Sequence, residues 1–374
     1  MPRVSILVPG LDRGGMTRAY SLAASLEAAG AGVEIVGALP AGARIYPTPP
    51  SGLSVVPVHA GSFARRVRET AQVARGDILY AVKPRVTSFG VALLIRNRRR
   101  VWVDIDDFEA VLAADARQPE SPLRRARKSM ARARNLDRPG YTRWMERWLP
   151  RADAVTANSR FLTERYRATF VPSVRDLGAF DPARFDADAC RHALGLGGSR
   201  VVMFPGTVRA HKGVEDAAAA LDLLDWPDAR LVLVGGRDAG DDLAAALAAR
   251  WPARVLRLPR FGAGEMPSVL AAAHAVVVPQ RDTPAARAQF PMKLTDAMAM
   301  AKPIVASRVG DIPDVLDGAA WLVPPSSPAD IASALTEIFT SPAEAALRGE
   351  RARRVCDERF SPRAAAACLA PLLA

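Results

Sequence analysis

The sequence is short of the groups that mark metal sites and disulfide frameworks. It holds three cysteines, Cys190, Cys356 and Cys368, and four histidines, His59, His192, His211 and His274, none at ligand spacing. An odd cysteine count without such spacing argues against a disulfide scaffold or a zinc module and leaves small-hydrophobe packing in a reducing compartment. Aromatic residues make up only 6% of the chain, and they do not interleave with the basic residues, so a stacking surface for nucleic acid is not expected. Long apolar runs are missing too: Arg, Asp or Pro interrupts each one well before the ~20 residues of a membrane span. Met1–Gly10 breaks too soon for a signal sequence and reads as a buried strand. Together these absences imply a cytoplasmic protein. No internal repeat or low-complexity segment stands out.

What is present fits a two-domain enzyme. The chain has 374 residues, 49% of them apolar, enough for two cores. Val4–Val8, Val33–Val36, Ile78–Val82 and Val101–Ile105 read as strands, with helices over Met16–Ala29 and near Ser88–Ile95. The rhythm restarts with strands at Val201–Phe204, Leu231–Val234, Val255–Leu258, Ala275–Val278 and Pro303–Ser307, and helices at Lys212–Leu224 and Lys293–Met300. Strand followed by helix, repeatedly, predicts α/β architecture: two Rossmann-like doubly wound domains facing across a cleft. The expected boundaries are 1–175 for the first domain, 176–198 for a linker, 199–355 for the second domain, and 356–374 for a terminal helix returning to the first.

Two segments of the second half carry the chemistry. Phe204-Pro-Gly-Thr-Val-Arg-Ala-His-Lys-Gly213 follows a strand and opens a helix. Gly206 lets backbone approach a ligand, and Arg209 and Lys212 bring cations to an anion at the helix start. A leaving pyrophosphate needs such charge as the glycosidic bond breaks. The alternative is a solvated loop. In the second segment, Phe290 to Asp314, a loop enters a helix at Lys293, where a phosphate is within reach, and Asp296 can accept ribose hydroxyls. Here the alternative is a carboxylate that merely offsets the helix dipole.

Taken together, Lys212-Gly213, Asp296-Ala-Met-Ala299, Lys302-Pro-Ile-Val-Ala306 and Gly310-Asp-Ile-Pro-Asp-Val315 resemble the retaining GT-B glycosyltransferases of family four. Gly14-Gly15-Met-Thr-Arg18 resembles the Gly-Gly loop before that family's first helix, and Ala154-Val-Thr-Ala-Asn-Ser-Arg-Phe161 and Phe180-Asp-Pro182 also fit. The resemblance spans nearly the whole chain. It implies transfer of a sugar from a UDP-, GDP- or dTDP-sugar with retention at the anomeric carbon. Arg209 and Lys212 would hold the leaving group; Gly14, Gly15, Gly206, Thr207, Arg260, Phe261, Met292, Lys293, Leu294 and Asp296 would line the donor. No cofactor and no metal ion are expected, because no Asp-x-Asp follows a strand in the donor half.

The chain departs from the family pattern at defined positions. The Glu-x7-Glu pair falls on Ala288 and Asp296, so the first acid is absent and the second is shortened. The usual Arg after the glycine of the first loop is Thr207. The His-Asp at the end of an N-terminal strand is replaced by Asp106-Asp107. Asp106 is expected to orient an acceptor hydroxyl, with a helix N-cap as the alternative. A metal at Asp104, Asp106 and Asp107 is not expected, since strand alternation turns Asp107 away from the other two and no further ligand can be named. Lys83-Pro-Arg85 follows a strand and reads as a solvated loop, with contact to an anionic acceptor as the alternative.

The formal charge is +12, and it is concentrated: Arg117–Arg151 holds eleven Arg or Lys against three acids. This stretch reads as two helices with Trp144 and Trp148 one turn apart. It is a solvated face, the seat of a small anionic acceptor, or a peripheral contact with the inner membrane face that carries a lipid-linked acceptor. Nucleic acid is not expected. Two other functions compete with transfer: a GT-B-fold epimerase acting on a nucleotide sugar without an acceptor, and a non-catalytic subunit that binds a nucleotide sugar.

Overall fold

The computed structural model describes residues 1–12, 15–59, 61–108, 136, 139–236 and 242–374. The chain divides into two compact units, the first made of Met1–Val174 with Pro362–Ala374, the second of Arg175–Ser361.

The first unit is built on a seven-stranded sheet. Its strands are β1 (Arg3–Val8), β2 (Gly32–Ala38), β3 (Ser54–Val58), β4 (Ile78–Val82), β5 (Arg100–Ile105), β6 (Ala154–Ala157) and β7 (Thr169–Phe170), in the order β3-β2-β1-β4-β5-β6-β7. Every pairing is parallel. A parallel sheet is covered on both faces, which is why its strands read as continuous apolar runs. Val4, Ile6 and Val8 enter one core with Leu22 and Leu26 of the helix Met16–Ala28; Leu7, Leu79 and Ala81 enter the other with Phe89. Periodicity missed β3, whose Pro57 is tolerated because this strand lies at the sheet edge.

The second unit repeats the plan with β8 (Arg200–Pro205), β9 (Ala229–Val234), β10 (Val255–Leu258), β11 (Ala275–Val278), β12 (Ile304–Ser307) and β13 (Trp321–Val323), all parallel, in the order β10-β9-β8-β11-β12-β13. Strand order reverses direction between β8 and β11. In open α/β sheets that switch point is where the strand ends part and a ligand crevice forms.

Three boundaries differ from the sequence reading. Residues 176–198 are not a free linker: Phe180 and Leu196 are buried in the core of the second unit, and the segment forms a short helix, Ala187–Ala193. Cys356 and Phe360 stay in that core, so only the helix Pro362–Leu373 joins the first unit, burying Ala365 and Leu369 beside Leu22 and Leu26. The helix expected from Lys212 begins at Val214, after a 3-10 turn, Ala210–Lys212, and the left-handed Gly213.

Of the basic stretch, residues 117–135 and 137–138 lie outside the described residues, as does Gly14. Its described end is the helix Pro139–Glu146 followed by a 3-10 turn, Leu149–Arg151. Trp148 therefore lies beyond the helix, with its ring 5.8 Å from that of Trp144. Among the described residues no helix is long and apolar enough to cross a membrane.

Candidate active site

The loops after β8 and β11 meet at the switch point of the second sheet. Gly213 has φ +61, and a Cβ there would sit 1.9 Å from the carbonyl oxygen of Pro279. Only glycine satisfies both the left-handed backbone and the close approach. Two residues on from Pro279 and two residues back from Gly213 the contact is a hydrogen bond, Arg281 N–H donating to His211 O at 2.9 Å. Lys212, held between these contacts, donates from Nζ to Thr207 O at 3.1 Å.

Lys293 arrives from the other side. It lies in the first turn of the helix Met292–Ala299, whose N-cap, Pro291, offers no side-chain acceptor. Its Nζ is 3.8 Å from the centre of the Phe204 ring. A Cβ on Gly206 would come within 3.7 Å of that same Nζ, so the ammonium lies over the glycine where β8 ends. Burial, and then the neighbouring Lys212, hold the Lys293 pKa well below the usual lysine range, while Asp296 opposes them. A lysine depressed by burial and by a second ammonium is favoured in its charged form by an anion placed beside it. Gly206 has φ +133 and bears no side chain to block the approach. Arg209 is exposed beside the same loop.

Asp296 is buried and paired with Arg175, whose Nε donates to its Oδ1. Arg175 also lies over the Phe180 ring, so this arginine, expected at the end of the first domain, belongs to the second unit and to the site wall. Leu294 is corrected from donor contact to core: its side chain is wholly buried, and its N–H donates to Pro291 O. Helical spacing puts it inside with Ala297 and Met298. Met292 is partly exposed, Arg260 is exposed after β10, and Phe261 packs partly against the core.

The first unit gathers a second set of charges where β4 and β5 end side by side. Asp104 is fully buried and takes two hydrogen bonds from Arg18, Nε to Oδ2 at 2.9 Å and Nη2 to Oδ1 at 2.7 Å. Thr156 adds a third at 2.7 Å, and Arg18 also binds the carbonyls of Val171 and Pro172. Asp104 is thus a structural anchor. Lys83, at φ +69, turns its Nζ to Asp107 Oδ2 at 2.7 Å and to Asp106 Oδ1 at 3.2 Å, the second contact lacking hydrogen-bond alignment. Burial raises the Asp106 pKa to about 6; Lys83 pulls it down, and Asp107 and Asp104 push it up. A non-glycine residue in the left-handed region beside a buried, raised carboxyl is the kind of local cost found at working sites. Gly15, by contrast, caps the first helix with ordinary dihedrals and open space around it.

Residues 199–341 match the family model described as Glycosyl transferases group 1. The matched residues form most of the second unit, which carries a domain of this family. Similar solved structures share the GT-B fold along the whole chain. A sucrose-phosphate synthase from Thermosynechococcus elongatus aligns over 100% of this chain and 98% of its own, with TM-score 0.76 and 19% identity. HepE from Anabaena, crystallised with UDP and glucose, aligns over 100% and 99%, with TM-score 0.72 and 17% identity. A glycosyltransferase from Rickettsia africae aligns over 99% and 97%, with TM-score 0.70 and 14% identity. No curated protein matches the sequence.

In the second unit Gly206, Thr207, Lys212 and Lys293 come together, and Asp296 lies one turn along the same helix. Sequence reasoning passed over Lys83 and Arg175. Lys83-Pro84 directly follows β4, a signal that β5 would lie beside it; the left-handed turn that aims the ammonium at Asp106 left no signal.

Proposed function

We propose that the protein transfers a hexose from a nucleoside diphosphate sugar to an acceptor, with retention at the anomeric carbon. The carrying observation is the convergence of Lys212 and Lys293 over Gly206 at the switch point. As the glycosidic bond breaks, negative charge grows on the diphosphate, and preorganised cations there stabilise the transition state more than the ground state. Two lysines provide this charge without a metal ion. Asp296 takes the ribose and Asp106 orients the acceptor hydroxyl. The leaving phosphate receives the acceptor proton. Retention is proposed from the family resemblance.

For the acceptor side we propose peripheral contact with an anionic membrane surface on the cytoplasmic face. Leu94 is 64% and Trp144 46% exposed. Leu93, Leu94, Arg96, Trp148 and Arg151 line one groove, and the Arg151 guanidinium stacks 4.7 Å from the Trp148 ring. Exposed Trp and Leu among arginines suit a headgroup layer.

The test is release of nucleoside diphosphate from UDP-, GDP- and dTDP-sugars, with and without acceptors, starting with UDP-glucose because the similar HepE structure holds UDP and glucose. Acceptor-dependent release, with a product whose anomeric configuration matches the donor by NMR, supports the reading. Conversion without acceptor would favour an epimerase. Binding without turnover would favour a non-catalytic subunit.

A further inference from the structure

Gln280 follows Pro279, the first residue after β11, on the loop that meets the one after β8 at the switch point. On one side of it Pro279 O packs against Gly213; on the other Arg281 N–H donates to His211 O. Its neighbours across this seam are therefore the residues that carry Lys212. Its side chain is only 3% exposed, yet its Oε1 is buried and finds no hydrogen-bond partner among the described residues. Buried polar atoms are nearly always paired, so an orphan at a strand end beside an anion loop points to a ligand.

The acid of the family pattern is missing nearby. Ala288 ends the short helix Pro284–Arg287, is wholly buried and brings only a methyl group. A sugar bound with its diphosphate at Lys212 and Lys293 would still present hydroxyls that need partners. Phosphate oxygens only accept hydrogen bonds, and the two ammonium groups serve them. A hydroxyl both donates and accepts, and so does a carboxamide.

We infer that Gln280 is the residue that reads the transferred sugar, its carboxamide pairing with a hexose hydroxyl at the head of β11 where no acid stands at position 288. This rests on the nucleoside diphosphate sugar reading. It makes the sugar specificity of this protein a property of the loop after β11.

The experiment compares Gln280→Met, which keeps the volume and removes the amide, with wild type. Calorimetric titrations use UDP and UDP-glucose, GDP and GDP-mannose, and dTDP and dTDP-glucose. For the pair that the wild type binds, the variant should keep its affinity for the free diphosphate within about twofold and lose about tenfold or more for the sugar form, because a site built for a hydroxyl rejects what cannot pair. Retained diphosphate binding also reports that the variant is folded. Deoxy analogues of that donor give the second readout: removing one hydroxyl should weaken the wild type by a similar factor and leave Gln280→Met unaffected. Equal loss for diphosphate and sugar form, or no loss for either, overturns the assignment. Failure of the wild type to bind any of the three diphosphates sinks the donor reading, and this inference with it.

Discussion

Arg175 holds the carboxylate of Asp296, joining the first residue of the second unit to the helix that carries Lys293. The pair is mostly buried, at 16% and 12% side-chain exposure. If Asp296 also receives ribose hydroxyls, Asp296→Ala should raise the Kd for UDP by roughly 10–100-fold, as expected when a charged hydrogen-bond partner worth ~1.5–3 kcal/mol is lost. Pyrophosphate has no ribose, so its Kd should be unchanged. Equal weakening of both by calorimetry would mean that Asp296 acts only through its packing with Arg175.

Asp106 links stability to pH. Its folded pKa of about 6 lies above the ordinary 3.8. A raised carboxyl favours the folded state in its protonated form; that contribution is complete below pH 3.8 and is lost as pH rises through about 6. The difference corresponds to of order 2–3 kcal/mol. Asp106→Asn should therefore narrow the gap in denaturant stability between pH 4 and pH 8. The wild type's kcat/KM should rise through about pH 6, and the Asn variant should lose this inflection. An unchanged pH profile in the variant would remove Asp106 from the acceptor step.

The helix Pro362–Leu373 belongs to the first unit, through Ala365 and Leu369. Leu369→Ala should cost about 2–5 kcal/mol, the usual range for a buried leucine in a packed core. Limited proteolysis should then cut the first unit sooner and spare the second. Cleavage of the first unit at the wild-type rate would show that the helix adds little there.

The face holding Leu94, Arg96, Trp144, Trp148 and Arg151 is expected to bind vesicles containing anionic lipid and not neutral ones. Salt should release the protein, because exposed charges are screened beyond about 10 Å at 0.1 M. Trp144→Ala combined with Arg96→Glu and Arg151→Glu should abolish pelleting. Binding that ignores lipid charge, or survives these changes, would rule the face out.

Much of this was legible in the sequence, for physical reasons that differ from residue to residue. Lys212-Gly213 could be read because its demand is local: a left-handed turn needs glycine at that position. The parallel sheets could be read because burial on both faces leaves unbroken apolar runs. Arg175 could not, since its partner stands 121 positions away and no periodicity joins them. Nor could the separate roles of Asp104 and Asp106: the first is claimed by Arg18 from the first helix, the second by Lys83 from the neighbouring strand. Leu294 was misassigned because a motif names positions, and only packing says which of them face inward.

The central claim is that Lys212 and Lys293 stabilise the leaving diphosphate without a metal ion. The most direct test is single-turnover release of nucleoside diphosphate, in EDTA, by wild type, Lys212→Ala and Lys293→Ala. The wild type should remain fully active in EDTA, and each variant should lose roughly 10²-fold or more in kcat, as removal of a preorganised electrostatic donor does. Wild-type turnover in both variants, or activity that EDTA abolishes and Mg²⁺ restores, would contradict it.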